Sequence, residues 1–134
     1  MQARGDLEKA EPLYREVLEG AREVLGPKHP NTLTSVNNLG TLLQARGDLE
    51  RAEPLYREAL EGRREVLGPK HPDTLISVLP LASLLMAQGK PEAAEPMLRE
   101  AVTGFHEKLG PDHSHTRGAN GHLRKCLEDQ GKRT

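Results

Sequence analysis

Apolar residues recur along the chain in steps of three and four, the spacing of one face of an α-helix. The stretch 31–45 carries such a stripe, and the stretch 48–67 carries another. No segment alternates apolar and polar residues with the period of two that indicates a β-strand. The pattern therefore predicts an all-α protein, with stripes formed by Leu33, Val36, Leu39, Leu42 and Leu43, and by Leu49, Ala52, Leu55, Tyr56, Ala59 and Leu60.

Capping and breaking residues divide this pattern into separate helices. Asp48 can cap the first turn of the stretch 48–67, and the pair Gly68-Pro69 can end it. Asn31 and Asp73 each follow a proline at a point where an N-cap is needed, and we expect them to be caps. The predicted helices cover residues 6–25, 31–45, 48–67, 73–87, 90–109 and 115–129.

An internal repeat of 42 residues spans the chain. The segment 2–6, Gln-Ala-Arg-Gly-Asp, returns unchanged at 44–48 and in altered form at 86–90 and 128–132. Residues 2–43 match residues 44–85 at 33 of 42 positions, whereas residues 86–127 match 44–85 at 18 of 42. Arg46-Gly47 leaves room only for an antiparallel helical hairpin. Because a repeat of this size cannot bury its own apolar face, we expect the hairpins to stack into a right-handed α-α superhelix with a concave face.

Composition and charge exclude several classes of protein. The 134 residues carry a net charge of -1 and only 2% aromatic residues, which argues against a nucleic-acid partner. A single cysteine, Cys126, cannot build a disulfide framework. The N-terminus lacks an apolar signal region, and the longest uncharged stretch, 74–89, is too short to span a bilayer. We therefore expect a cytoplasmic protein without a membrane partner.

The repeat resembles a known family. Leu39-Gly40, Leu43, Gly47-Asp48, Ala52, Tyr56 and Ala59-Leu60 fall at the spacing of the tetratricopeptide repeat (TPR). The 42-residue unit, with Asn37-Asn38-Leu39 and the segment 52–57, resembles the repeats of kinesin light chains and of nephrocystin-3-like proteins. Similar arrays occur at the C-terminal end of multidomain signalling ATPases. The resemblance implies one array over residues 1–134 that acts as a non-catalytic cargo or adaptor scaffold. A sensor array belonging to a signalling ATPase is the alternative.

The resemblance also implies a binding surface for a peptide or protein partner, since the first helix of each unit lines the concave groove in this family. Asn38 aligns with the asparagine that clamps the peptide backbone, while Pro80 and His122 stand at that position in later units. Four of the nine differences between the first two repeats fall at groove positions, namely 34/76, 37/79, 38/80 and 41/83. The implied peptide-binding residues are Thr34, Asn37, Asn38, Thr41, Gln44, Ile76, Leu79, Ser83, Met86, His122 and Lys125, and further groove positions are Ala45, Pro80, Ala87, Gly118, Gly121, Glu128 and Asp129.

Within this groove, apolar side chains form a second expected feature. Ile76, Leu79 and Met86 are expected to make an apolar pocket, in which methionine adapts to the shape of the bound side chain. Lys125 can meet an acidic group, although Glu128 and Asp129 lie close to it in the sequence.

Catalytic and metal-binding chemistry have little support in the sequence. No nucleophile motif and no phosphate-binding glycine loop occurs, so we expect neither an enzyme nor a cofactor. A zinc site could use His113, His115, His122 and Cys126, the last two of which share a helix face. However, the histidine of the linker also recurs at 29 and 71, and a repeated structural role explains His113 without a metal.

The two ends of the chain differ in character. Leu7, Ala10, Tyr14 and Val17 are apolar residues of the first helix, and we expect the face that they form to be bare. The last helix is mostly polar, as a capping helix of a repeat array should be. Three explanations of the bare face stay open: a fragment of a longer array, self-association through the helix 6–25, or fraying of that helix.

Overall fold

The computed structural model describes residues 4–131, which form six α-helices and no strand. This confirms the all-α prediction. Each predicted helix ends at the observed residue and begins within two residues of the observed start. None of the described helices is long and apolar enough to cross a membrane. The helices are α1 (Arg4–Leu25), α2 (Pro30–Ala45), α3 (Leu49–Leu67), α4 (Pro72–Ala87), α5 (Pro91–Leu109) and α6 (Ser114–Asp129).

The helices divide into two compact units, Met1–Val66 and Leu67–Thr134. The first unit holds α1, α2 and nearly all of α3, and the second holds α4, α5 and α6. Each unit has a leucine-rich core with one buried aromatic ring, Tyr56 in the first and Phe105 in the second. The predicted apolar stripes supply the core of the first unit, since the whole stripe of α2 and most of the stripe of α3 are buried.

Three helices share a histidine N-cap, at His29, His71 and His113. In each case the ring Nδ1 accepts a hydrogen bond from the backbone N–H two residues further on, at 3.1, 3.0 and 3.0 Å. The expectation that Asn31 and Asp73 are the caps is therefore wrong. In α2 and α4 the proline already occupies the first helical position, so the residue after it donates its backbone N–H from inside the first turn.

We expect His71→Ala to lower the free energy of unfolding by about 0.5–2 kcal/mol, the usual effect of removing an N-cap acceptor. His71→Asn should retain most of the stability, because an Asn side chain can accept the same bond from the backbone N–H of Asp73. Chemical denaturation followed by circular dichroism measures both changes. Equal losses in the two variants would contradict the capping role.

The link between α2 and α3 is a tight left-handed turn at Gly47. Its φ of 84° suits glycine, which has no Cβ to clash. The Asp48 N–H donates to the Leu43 carbonyl at 2.8 Å, and the Gly47 N–H donates to the Gln44 carbonyl at 2.9 Å. Asp48 then caps α3 through a 3.3 Å bond from the Arg51 N–H, as predicted. Gly89 forms the same turn between α4 and α5.

The contact between α2 and α3 depends on Gly40. A Cβ at this position would lie 2.9 Å from Cε1 and 3.0 Å from Cδ1 of Tyr56, so any larger residue would force the ring to move. The Tyr56 hydroxyl donates to Gln44 Oε1 at 2.8 Å and lies 3.2 Å from Thr41 Oγ1. The tyrosine is thus held by both its ring and its hydroxyl.

The expected bare face of α1 is present in part. Tyr14 and Val17 are exposed, and Ala10 is half-buried, but Leu7 is buried. Leu7 lies on the same helical stripe as the buried Leu18, eleven residues later. The prediction is therefore wrong for Leu7, because that residue belongs to the packed side of the helix.

Candidate functional site

A cavity of about 570 Å³ lies between α4 and α6 in the second unit. All of its lining residues are groove positions in the sequence analysis. They lie on α4 and α6, whose equivalent positions are one repeat, or 42 residues, apart. Met86, Ala87 and two glycines make much of its wall apolar. The cavity is lined by Ser83, Met86, Ala87, Gly118, Gly121, His122, Lys125 and Asp129.

The two glycines of α6 keep the cavity open. A Cβ built at Gly118 or Gly121 would have no neighbouring atom within 4 Å. Neither glycine is therefore needed for close packing of helices, in contrast to Gly40. Both also stand in a helix interior, where glycine is destabilising by about 1 kcal/mol relative to alanine. Their side-chain-free surface leaves room beside Met86.

Polar groups stand at the edge of the cavity. Lys125 Nζ is 3.8 Å from Asp129 Oδ1, and both side chains are exposed, so this ion pair holds the lysine only weakly. His122 Nδ1 lies 2.9 Å from the Gly118 carbonyl oxygen. Since a carbonyl only accepts, Nδ1 is the donor in this bond, and Nε2 stays available for a ligand. The cavity can thus offer an apolar wall, a cation and an imidazole.

The structure brings together four of the implied binding residues of the second unit. Ser83, Met86, His122 and Lys125 share the cavity. Ile76 and Leu79 are half-buried on α4 but do not line it. Of the three residues expected to form an apolar pocket, only Met86 therefore contributes to this cavity, and Ala87 and the two glycines form the rest of its apolar wall.

In the first unit, two of the implied binding residues have a structural task. Thr41 and Gln44 bind the hydroxyl of the buried Tyr56. Thr34 Oγ1 donates to the Pro30 carbonyl at 3.1 Å. The sequence signal for this contact was the order of residues in one hairpin. Two polar residues on the first helix are followed by an aromatic residue on the second.

The two asparagines of α2 differ in their surroundings. Asn38 is exposed, whereas Asn37 is half-buried and its Oδ1 has no hydrogen-bond partner among the described residues. A buried acceptor without a partner costs about 1–3 kcal/mol. This atom and the exposed amide of Asn38 are hydrogen-bonding groups that α2 can offer.

The four residues considered as a zinc site have other contacts. His113 caps α6, His115 stacks on Phe105 with ring centroids 5.6 Å apart, and His122 lies at the cavity. Cys126 is buried and donates its thiol hydrogen to the Pro91 carbonyl at 3.1 Å. Burial raises the pKa of this thiol. Within residues 4–131 no three potential ligands are grouped closely enough to hold a metal ion.

Comparison with known proteins supports the same fold. The chain is similar to the crystal structure of BtubC (BKLC) from P. vanneervenii, with a TM-score of 0.85, 22% identity, and coverage of 95% of this chain and 51% of that one. It is similar to the nearly identical TPR-like repeats of a kinesin light chain-like protein from Podosopora anserina, with a TM-score of 0.87, 24% identity, and coverage of 96% and 61%. The chain thus spans between about half and three-fifths of these proteins. No curated protein sequence matches it.

A family comparison covers most of the chain. Residues 1–65 and 36–105 match the tetratricopeptide repeat. The matched residues include the histidine cap at position 29, the glycine turn at position 47 and the tyrosine contact at position 56. The chain belongs to the tetratricopeptide repeat family, whose members generally serve as non-catalytic scaffolds for protein–protein interaction.

Proposed function

We propose that the protein binds an extended peptide of a partner protein, with one apolar peptide side chain in the cavity between α4 and α6 of the second unit. The cavity of about 570 Å³ is the observation that carries the proposal. It is large enough for a side chain, and its lining consists of positions that the family resemblance assigns to the groove, four of them implied binding residues. Met86 adapts to the shape of that side chain.

The edge of the cavity favours an acidic group next to the apolar one. Lys125 is held by Asp129 only across 3.8 Å in an exposed pair. A peptide carboxylate can therefore replace Asp129 as the partner of Lys125 at a small cost in free energy. Asp129 lines the same cavity and repels a second carboxylate. The peptide carboxylate therefore has to approach Lys125 from the side away from Asp129. The proposed ligand is thus a short segment with an apolar residue beside Asp or Glu.

For the first unit, taken by itself, we propose that α2 contacts the backbone of a peptide. The Asn38 side chain is exposed and carries two donors and an acceptor, so it can bind a peptide N–H and C=O whatever the peptide sequence. The buried Oδ1 of Asn37 can gain a donor when a ligand orders this surface. The remaining predicted positions on α2 contribute less, because Thr41 and Gln44 already bind Tyr56.

The finer role that we propose is a cytoplasmic cargo or adaptor scaffold of the kinesin light chain type. Its support is the likeness of the repeats to kinesin light chain-like structures. A sensor array of a signalling ATPase uses the same fold, and the reading frame around this chain separates the two roles. Adjacent heptads favour the adaptor, whereas an adjacent nucleotide-binding domain favours the sensor.

Filling the cavity tests the proposal. Peptides are selected from a displayed library on the wild-type protein, and their affinities are measured by fluorescence anisotropy. Gly121→Leu is expected to weaken the selected peptides by about tenfold or more, because the leucine occupies the space beside Met86. The variant should be as stable as the wild type or more so, since leucine is the better helix former.

A matched control is available on α1. Gly20→Leu makes the same change at another open helix position, in the first unit, and should leave the affinity unchanged. Asn38→Ala is expected to weaken binding by removing the backbone contact. Failure to select any peptide, or equal effects of Gly121→Leu and Gly20→Leu, would show that the cavity is not the binding site.

A further inference from the structure

Each unit contains a cavity between an interhelical linker and the second helix of the repeat, and we call these two cavities the linker cavities. In the first unit the cavity has a volume of about 400 Å³ and lies between the α1–α2 linker and α3. In the second unit it has a volume of about 380 Å³ and lies between the α3–α4 linker and α5. All eight residues that line the second have an equivalent in the first, 42 positions earlier, and seven of these pairs are identical. The pair that differs is Glu61 and Thr103.

Both linker cavities have an apolar floor, formed by a buried leucine that lies against a helical glycine. A Cβ at Gly62 would lie 2.6 Å from Cδ2 of Leu33, and one at Gly104 would lie 2.5 Å from Cδ1 of Leu75. The leucine side chain therefore rests directly on the backbone of the second helix. The methylene stem of a long side chain can lie on such a floor while its charged end stays in contact with water.

The wall of the first linker cavity carries three carboxylates and two cations, whereas that of the second carries two of each. Two of the three carboxylates have a cation within the first unit. Both carboxylate oxygens of Glu58 accept hydrogen bonds from Arg22 at 3.0 Å, and Glu65 pairs with Lys28. The third, Glu61, has neither an ion pair nor a hydrogen bond with another described residue.

The other cation of this wall, Arg57, is directed away from Glu61. Its Nε donates to Glu53 Oε2 at 3.0 Å, one helical turn before Arg57, whereas Glu61 lies one turn after it. Glu61 also stands three residues after Glu58 and four before Glu65. Carboxylates at these spacings share a helix face and repel one another, so a cation bound at Glu61 relieves the repulsion.

We propose that the linker cavity of the first unit binds a basic side chain, arginine or lysine, of a partner protein. The stem of that side chain lies on Leu33, and its charge meets Glu61. The occupant follows from charge complementarity, because one carboxylate of this wall is left without a cation. The second linker cavity has Thr103 in place of that carboxylate and should not bind the same side chain. The site shares no residue with the cavity between α4 and α6.

The two linker cavities can be compared within one molecule. Acetyl-Ala-Arg-Ala-amide is added to isotope-labelled protein, and the backbone amide signals of Gly62 and Gly104 are followed by NMR spectroscopy. We expect a saturable shift at Gly62 and little change at Gly104. The same tripeptide with citrulline, a neutral residue of nearly the same shape as arginine, should bind about fivefold more weakly or less, because it lacks the charge.

Exchanging the one residue that differs between the linker cavities tests the role of Glu61. Glu61→Thr gives the first cavity the lining of the second and should weaken the arginine peptide by about fivefold or more. Thr103→Glu should produce a saturable shift at Gly104. Both positions are exposed, so the variants should keep the melting temperature of the wild type. Glu19→Thr is the matched control, because Glu19 is exposed one repeat before Glu61, lines neither linker cavity and changes the net charge equally.

Four results would overturn the proposal. The first is equal affinity for the arginine and citrulline peptides, or no binding of either. The second is an equal response of Gly62 and Gly104 in the wild type. The third is a loss of affinity in Glu19→Thr as large as that in Glu61→Thr, because only the net charge would then matter. The fourth is loss of binding in Gly121→Leu, which would place the peptide in the cavity between α4 and α6. Unchanged binding in Gly121→Leu supports a separate site.

Discussion

Replacing Tyr56 by alanine is expected to lower the free energy of unfolding by about 3–5 kcal/mol, the usual cost of emptying an aromatic site in a core. The ring is 1% exposed and lies directly on Gly40, so its removal leaves a cavity between α2 and α3. Urea denaturation followed by circular dichroism measures the change.

The repeat supplies a matched control for this variant. Tyr14→Ala removes the same side chain from a nearly identical helix, but the ring there is 40% exposed. We expect its cost to be about 1 kcal/mol or less. Similar losses for Tyr56→Ala and Tyr14→Ala would contradict the difference in packing that distinguishes the two helices.

Tyr56→Phe separates the hydroxyl from the ring. It removes the bonds to Gln44 and Thr41 while keeping the ring in place, and should cost about 0.5–1.5 kcal/mol. Burial raises the pKa of Tyr56, so its hydroxyl remains a donor well above neutral pH. A loss as large as that of Tyr56→Ala would show that the hydroxyl, and not the ring, dominates the contact.

Glu11→Ala is expected to lower the free energy of unfolding by about 2 kcal/mol, because one carboxylate satisfies three guanidinium groups. Its side chain is only 11% exposed. Glu11 accepts hydrogen bonds from Arg15 at 2.9 Å, from Arg51 at 2.6 Å and from Arg46. The arginines are a quarter to half exposed and can be solvated again, so the loss should stay below that of a fully buried ion pair.

The contribution of Glu11 should depend on pH with a definite sign. Burial raises the pKa of this carboxyl, but the hydrogen bonds from Arg51 and Arg15 outweigh burial and hold the pKa below its ordinary value of 4.5. A carboxylate with a lowered pKa in the folded state stabilises the protein above the unfolded pKa. The difference between wild type and Glu11→Ala should therefore be constant near neutral pH and shrink as the pH falls below about 4.5.

Glu16→Ala is the control for this prediction. Glu16 is exposed on the same helix, and its removal should change the stability by less than about 0.5 kcal/mol at every pH. Denaturation curves between neutral pH and about pH 4 measure all three proteins. A difference between wild type and Glu11→Ala that grows on acidification would contradict the assignment.

The arginine contacts of Glu11 show what the repeat in the sequence predicts and what it leaves undetermined. Glu95 is the counterpart of Glu11 two repeats later, and it accepts a 2.8 Å bond from Gln130, which stands where Arg46 stands in the first unit. The sequence shows that these positions recur together. Only the packed structure shows that these two residues, 35 positions apart in the sequence, are in contact. The distance between them depends on how their two helices pack.

The helices and turns could be predicted well because their causes are local. Apolar steps of three and four mark the helices, and Gly47 marks the hairpin, where its φ of 84° favours glycine. The predicted caps Asn31 and Asp73 were wrong, because histidine is not among the residues that are usually preferred as N-caps. The recurrence of histidine before each first helix, at 29, 71 and 113, was the available signal.

The candidate site could be predicted only as a set of positions. Family resemblance assigned Ser83, Met86 and Lys125 to the groove side, and they do line one cavity. It assigned Ile76 and Leu79 in the same way, although neither lines that cavity. Which groove positions line a cavity depends on the helix that faces them. Gly118 and Gly121 contribute to this cavity because α6 faces the end of α4.

The sequence by itself determined the secondary structure of this protein, and α1 and α3 show why it determined no more. With 19 of 22 residues in common, both segments form a helix, because the hydrogen bonds of a helix join residues four apart. Yet Tyr56 is buried and Tyr14 is exposed. Burial depends on a neighbouring helix that contributes a glycine and two polar side chains, and only the tertiary structure decides where that neighbour lies.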